Sequence, residues 1–423
     1  MHWNFMLTIT AAWTAAGTAL YLLAPGAAPF LLPLSLVAPV LWRRWAAPLP
    51  SLWPPSWLSC VLAATALYLA INATWSSTPT RAYVATTIFL IALVSLYVIE
   101  RSLPLAGRKP LRAMAIGFYV GYLSAGLLLS IEILFDHPIH LRLFAAFPDI
   151  APHISNWIVK DGVIEGLPAF FLNRHMASLV FLSWPAIVIV HYLGTSVISR
   201  AVLMACLVPA VVAIVASQHE TSKLAILGGA AAFVVLMLLP RFGRSALTAA
   251  WITACAAVVP LTAMTYDMGL QQAEWLPLSA RHRIVIWRAT AEKIVEAPIL
   301  GHGMVTAREF GKRELEHPHY APGTPFALSP GPHAHNVYLE VWFETGVLGV
   351  ALLLAIGLLT LRAIYRLPQG LHPYFYAVFA SNALLAASST SLWSRWFLAS
   401  FALSAIFGVL AWSFAVSTAA GEK

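Results

Sequence analysis

The sequence predicts an all-α, polytopic membrane protein with about twelve transmembrane helices. Its 423 residues are 60% hydrophobic and only 10% charged, against roughly a quarter charged in soluble domains. Apolar runs approaching the roughly 20 residues that cross a bilayer recur at 5–24, 27–42, 56–74, 82–99, 113–131, 176–194, 201–217, 224–240, 245–264, 345–361, 373–389 and 396–417. None of these runs contains Asp, Glu, Lys or Arg.

Taken in order, the first run follows only Met1-His2-Trp3-Asn4. That stretch lacks the basic region of a cleavable signal, so the run reads as a retained helix. Nine helices fill 1–264, interrupted by an external loop at about 132–175. A large external loop occupies 265–344, and 345–423 holds the last three helices. Cys60, Cys206 and Cys255 all fall within apolar runs, where a thiol behaves as a small hydrophobe. The sequence therefore predicts neither a disulfide framework nor thiol catalysis.

Cytoplasmic loops carry an excess of Lys and Arg. With the amino terminus inside, the short inner segments hold Arg43, Arg44, Arg101, Arg108, Lys109, Arg112, Arg200, Arg241, Arg244, Arg362, Arg366 and Lys423. The short outer loops hold Arg81, Lys223 and Arg395. Both termini are then cytoplasmic and both long loops external. The net charge of +8 follows largely from topology and implies no nucleic-acid partner.

The 265–344 loop has a pattern of its own. Ile284, Trp287, Ala291 and Ile294 form an apolar helical stripe, with Arg288 and Glu292 spaced as an i,i+4 pair. This helix ends before Pro298, lies along the membrane surface, and is followed by turn residues Gly301 and Gly303. A second short helix is predicted over about 304–316. The prolines and glycines from Pro318 to Pro332 then exclude regular structure until His335.

Eleven of the 14 histidines fall on the predicted outer side: His137, His140, His153, His175, His219, His282, His302, His317, His319, His333 and His335. Most suit ordinary interfacial packing. His335 stands out because it opens the segment His335-Asn336-Val337-Tyr338 that runs into the tenth span. There an imidazole could take a proton from an attacking hydroxyl. Arg283 and Trp287, four apart on one helical face, put a guanidinium suited to phosphate beside an aromatic ring, although any interfacial helix uses the same pair as an anchor. The loop Ser217-Gln218-His219-Glu220-Thr221-Ser222-Lys223 sets Lys223 at a helix start, where an anion is favoured. Lys223 could equally pair with Glu220.

In this order the three features resemble the O-antigen ligase family, which is related to the O-antigen polymerases and the bacterial O-oligosaccharyltransferases. The resemblance rests on Lys223, on Arg283 four before Trp287 with Pro298-Ile299-Leu300-Gly301-His302-Gly303 after it, and on His335-Asn336 with Leu339, Glu344 and Gly346. It covers about 217–350. One departure is Lys223, where the family commonly has Arg; lysine keeps the charge but loses the bidentate fork.

The resemblance implies transfer of a polysaccharide from undecaprenyl diphosphate to a sugar hydroxyl of lipid A-core, on the periplasmic face of the bacterial inner membrane, in lipopolysaccharide biosynthesis. It implies His335 as base and Arg283 as the main diphosphate ligand, with Lys223 and Arg281 assisting. Trp287, Asn336, Glu344 and His219 are supporting residues. The mechanism would be inverting, without a metal or other cofactor. Partners would be the lipid-linked donor, the lipid A-core acceptor and membrane lipids. An O-antigen polymerase or protein O-oligosaccharyltransferase is the alternative within this group. Outside it stand a transporter, which usually places ionisable groups inside its spans, and a metal-dependent membrane hydrolase using His317/His319 and His333/His335.

Overall fold

Long apolar segments form helices in a bilayer because every backbone polar group must then be satisfied within the segment itself. The computed structural model describes residues 2–35, 55–147, 158–160, 163–168 and 170–420, and helix dominates them. In chain order the helices begin with α1 His2–Leu23, α2 Ala28–Ser35, α3 Trp57–Asn72, α4 Pro79–Ser102, α5 Arg108–Leu134 and α6 Pro138–Ala146. After a hairpin come α7 Asn173–Leu193, α8 Val197–Ala205, α9 Val208–Ala216, α10 Glu220–Leu238, α11 Pro240–Ala256 and α12 Val258–Asp267. The last are α13 Leu278–Ile294, α14 Ala307–Glu316, α15 Val337–Tyr365, α16 His372–Ser388 and α17 Arg395–Ala420. The hairpin pairs β1 Ile158–Lys160 antiparallel with β2 Val163–Gly166.

This is a multi-pass, all-α membrane protein. Among the described residues nine helical stretches are long and apolar enough to cross a membrane, and α11 with α12 forms a further candidate bent by 74°. Nine or ten of the expected twelve runs thus have the length and apolarity of a span among the described residues. Pro260 cannot donate to the Ala256 carbonyl, so the run at 245–264 breaks between α11 and α12. The run at 373–389 becomes α16, only 17 residues long. Of the run at 27–42, only α2 and its flanking residue are described; 36–42 lie outside the described residues, as do Arg43, Arg44, His153 and Lys423.

The tenth predicted span also starts earlier than 345. The Asn336 side chain accepts from the Leu339 amide at 3.2 Å and opens α15 at Val337, as an Asn N-cap does. Hydropathy marks where a helix becomes apolar, not where it begins. Glu340 and Glu344 thus lie within α15.

The chain folds as two compact units. One comprises 1–50, 98–230 and 403–423; the other comprises 51–97 and 231–402. In the first, α1 lies against α5. A Cβ at Gly117 would stand 2.2 Å from the Ala11 carbonyl oxygen, and one at Gly121 would stand 2.4 Å from that of Ala15. This small-residue spacing lets two helix backbones approach in lipid, where close packing replaces the hydrophobic effect as the source of association. Tyr122 and Ser183 hydrogen-bond at 2.9 Å and tie α5 to α7.

In the second unit, Leu69, Ala73, Ala82, Ala85, Met304 and Trp393 share a buried cluster. Trp251 donates to the Leu354 carbonyl at 3.1 Å, and Trp342 donates to that of Cys255 at 2.8 Å. These bonds satisfy both indole N–H groups while fixing α11 against α15.

Candidate active site

The second unit assembles its polar centre from α13, the segment before α15, and the turn between α16 and α17. Helix α13 buries Ile284, Ala291 and Ile294, three of the four residues of the predicted stripe, and Arg288 pairs with Glu292 at 2.8 Å. On another face, Arg283 is half-buried. Its Nη1 donates to the Ser388 hydroxyl at 3.3 Å, and among the described residues no carboxylate pairs with it. Burial lowers its pKa, which is the signature of a desolvated cation without a counter-charge. One turn along α13, the Trp287 indole donates to the Ala334 carbonyl at 2.9 Å. That bond fastens the His333–Asn336 segment to the helix that carries Arg283.

His335 has a φ of +53°, a left-handed conformation uncommon outside glycine although His adopts it more readily than most residues. Its Nδ1 lies 2.7 Å from the Ser389 carbonyl oxygen. A carbonyl can only accept, so Nδ1 carries the proton and Nε2 keeps its lone pair. Burial pushes the His335 pKa down to about 4, and the charges of Arg283 and His282 act in the same direction while the Ser389 carbonyl opposes them. The ring of His333 is 4.0 Å from that of His335. Its pKa is pushed down to about 3 by burial, then by His335, Arg283 and Arg308. Ser388 and Ser389 thus receive Arg283 and His335 on adjacent residues.

Behind this centre the Pro298–Ala307 turn is locked to α15. Gly346 breaks that helix with φ +60°, and the Val347 amide donates to the Pro298 carbonyl at 2.9 Å. Gly301 and Gly303 also have positive φ. The buried Glu344 carboxylate accepts from the amides of Val305 at 2.8 Å and Ala307 at 3.0 Å, and from the Trp393 indole. From α3, Asn72 donates to the Leu300 and Glu344 carbonyls and accepts from the Met304 amide. Glu344 is therefore placed as an architectural clamp.

The remaining predicted residues fall elsewhere. Arg281 is two residues from Arg283 and so faces away from it; its Nε donates to the Gln271 carbonyl at 2.9 Å. Lys223 belongs to the first unit, in the first turn of α10, and its ammonium meets Glu220 at 2.9 Å. His219 is buried beside it with Nδ1 2.6 Å from the Ser222 hydroxyl. Among the described residues no three His, Cys, Asp or Glu side chains could jointly hold a metal ion. His317 and His319 are exposed.

Comparison with known proteins adds an independent finding: residues 205–354 match the family model for O-antigen ligase. Over that segment the chain is similar to the O-antigen ligase family. The matched segment contains Lys223, Arg281, Arg283, Trp287, His335, Asn336 and Glu344. Similar proteins that carry the provisional name polysaccharide ligase occur in Rickettsia. The one from Rickettsia typhi is 26% identical over 235 residues, 55% of this chain and 56% of its own. That from Rickettsia prowazekii has the same identity and coverage. The Rickettsia conorii protein is 30% identical over 125 residues, 29% of each chain. At its widest, the similarity spans just over half the length of these relatives.

The ligase family motifs led to Arg283 and His335 but not to their shared floor. Ser388-Ser389-Thr390-Ser391 ends an apolar helix and reads as ordinary helix termination. Thr390 lies 3.5 Å from His333. Glu340 also escaped notice, being one acidic residue at a helix start, where acidic residues are common. A run of four hydroxyl residues between two apolar helices was the available signal.

Proposed function

We propose that this protein transfers a polysaccharide from undecaprenyl diphosphate to a sugar hydroxyl of lipid A-core, at the periplasmic face of a bacterial inner membrane. The observation that carries the reading is Arg283: a half-buried guanidinium without a carboxylate partner among the described residues, set beside a histidine whose Nδ1, not Nε2, is engaged by a carbonyl. A desolvated cation of this kind is completed by an anionic ligand, and its planar fork suits a diphosphate.

The reaction then needs two things from the protein. The acceptor hydroxyl attacks the anomeric carbon while its proton passes to His335 Nε2. The bond from that carbon to the diphosphate breaks, and the electron pair leaves on the diphosphate oxygen. Arg283 stabilises the charge that develops there. Displacement from the face opposite the leaving group inverts the anomeric centre, and the diphosphate leaves without a metal. The names of the Rickettsia relatives agree with a polysaccharide as the transferred group.

A chromosomal deletion in the native host tests the reading, with lipopolysaccharide analysed on gels. The expected outcome is loss of long-chain material, intact core and accumulation of lipid-linked polymer, reversed by the wild-type gene but not by His335→Ala. Retention of a single repeat on the core would identify a polymerase instead, and unchanged lipopolysaccharide would refute the assignment.

A further inference from the structure

The most tightly held group around this centre that the mechanism does not use is Glu340. It is buried one helical turn before Glu344 on α15. Its Oε2 accepts from the Leu392 amide at 2.7 Å, and the Ser391 hydroxyl donates to the same carboxylate. Ser391 Oγ in turn accepts from the Trp393 amide at 3.2 Å, while the Trp393 indole reaches Glu344. Two carboxylates one turn apart on one helix therefore hold three consecutive residues of the turn that follows α16. Ser389, two residues before Ser391, receives His335, and Ser388, the last residue of α16, receives Arg283.

We propose that Glu340 is a positioning residue that fixes the tautomer of His335 through the Ser388–Leu392 turn. The proposal rests on the reading of His335 as base. The Ser389 carbonyl selects the Nδ1–H form only while it faces the ring, and that carbonyl is anchored two and three residues downstream by Glu340. Release of Ser391 and Leu392 frees the Ser389 peptide to rotate. The imidazole is then free to carry its proton on Nε2, where it cannot act as a base. A burial cost is set against this gain: a carboxylate beneath a helix start is retained only with its hydrogen bonds complete, and here two donors come from the turn it orders.

The test is steady-state transfer by purified protein in nanodiscs, using an undecaprenyl-diphosphate-linked oligosaccharide as donor. Glu340→Leu is expected to lower kcat by roughly 10²-fold, the scale of a misplaced catalytic group, with donor KM within about twofold of wild type because the Arg283 guanidinium keeps its place on α13. Glu340→Gln, whose amide oxygen still accepts from Leu392, is expected to recover most of the lost turnover. Wild-type kcat in Glu340→Leu, an equal loss in both variants, or a rise in KM that accounts for the whole defect would each overturn the proposal. His335→Ala is assayed in parallel. Full turnover there removes the base assignment itself, whereas an inactive His335→Ala beside a fully active Glu340→Leu removes only the role of Glu340.

Discussion

Arg283 and His335 are defined by what each lacks. Among the described residues the guanidinium has no carboxylate and the imidazole gives only Nδ1 to a hydrogen bond. With its pKa pushed down to about 4, His335 is neutral at physiological pH and its Nε2 is ready to accept. A bound diphosphate would bring negative charge beside it and raise that pKa. The acid limb of kcat/KM reports the free enzyme and that of kcat the complex, so the limb in kcat is expected at the higher pH. Coincident limbs would show that the donor's charge does not reach His335. Arg283→Lys keeps the charge but loses the fork, and transfer in detergent should fall by at least about tenfold, the equivalent of about 1.4 kcal/mol; wild-type rates would argue against bidentate recognition. Both residues were legible in the sequence because each sits in a short local pattern. Ser388, Ser389 and Glu340 were not, because 50 or more residues separate Ser389 from His335 and only the fold joins them.

At the scale of elements, α15 carries the site. Its cap places His335, its first turns place Glu340 and Glu344, and its break at Gly346 receives the Pro298–Ala307 turn. The close approach there requires glycine: a Cβ on Gly301 would lie 2.3 Å from the Glu344 carbonyl carbon, at a φ of +70°. Gly301→Ala is expected to cost roughly 1–3 kcal/mol through strain and overpacking, seen as a lower thermal midpoint in detergent together with reduced transfer. An unchanged midpoint would mean that the turn moves without penalty. The apolar runs announced most helices, and the Ile284–Ile294 stripe announced α13. The start of α15, by contrast, depends on the Asn336 cap, and the break before α12 on Pro260. Both are local backbone effects that a count of apolar residues does not register.

At the scale of the molecule, the chain leaves and re-enters each compact unit, so its order in space does not follow its order in sequence. The first unit contains Lys223, engaged by Glu220, and the second contains Arg283 and His335. The sequence could announce a multi-pass helical protein from composition alone, but the interleaving depends on which helix faces fit together, as Gly117 and Gly121 fit Ala11 and Ala15. The match to the O-antigen ligase family model over 205–354 and the multi-pass helical architecture accord with the proposed reaction. The decisive measurement is transfer by the purified protein in nanodiscs, from an undecaprenyl-diphosphate-linked oligosaccharide to lipid A-core, with chelator present and undecaprenyl diphosphate release followed alongside product. The account predicts stoichiometric product and released carrier with wild type, and background levels with Arg283→Ala and His335→Ala. No transfer by folded wild-type protein, or undiminished transfer by both variants, would contradict it.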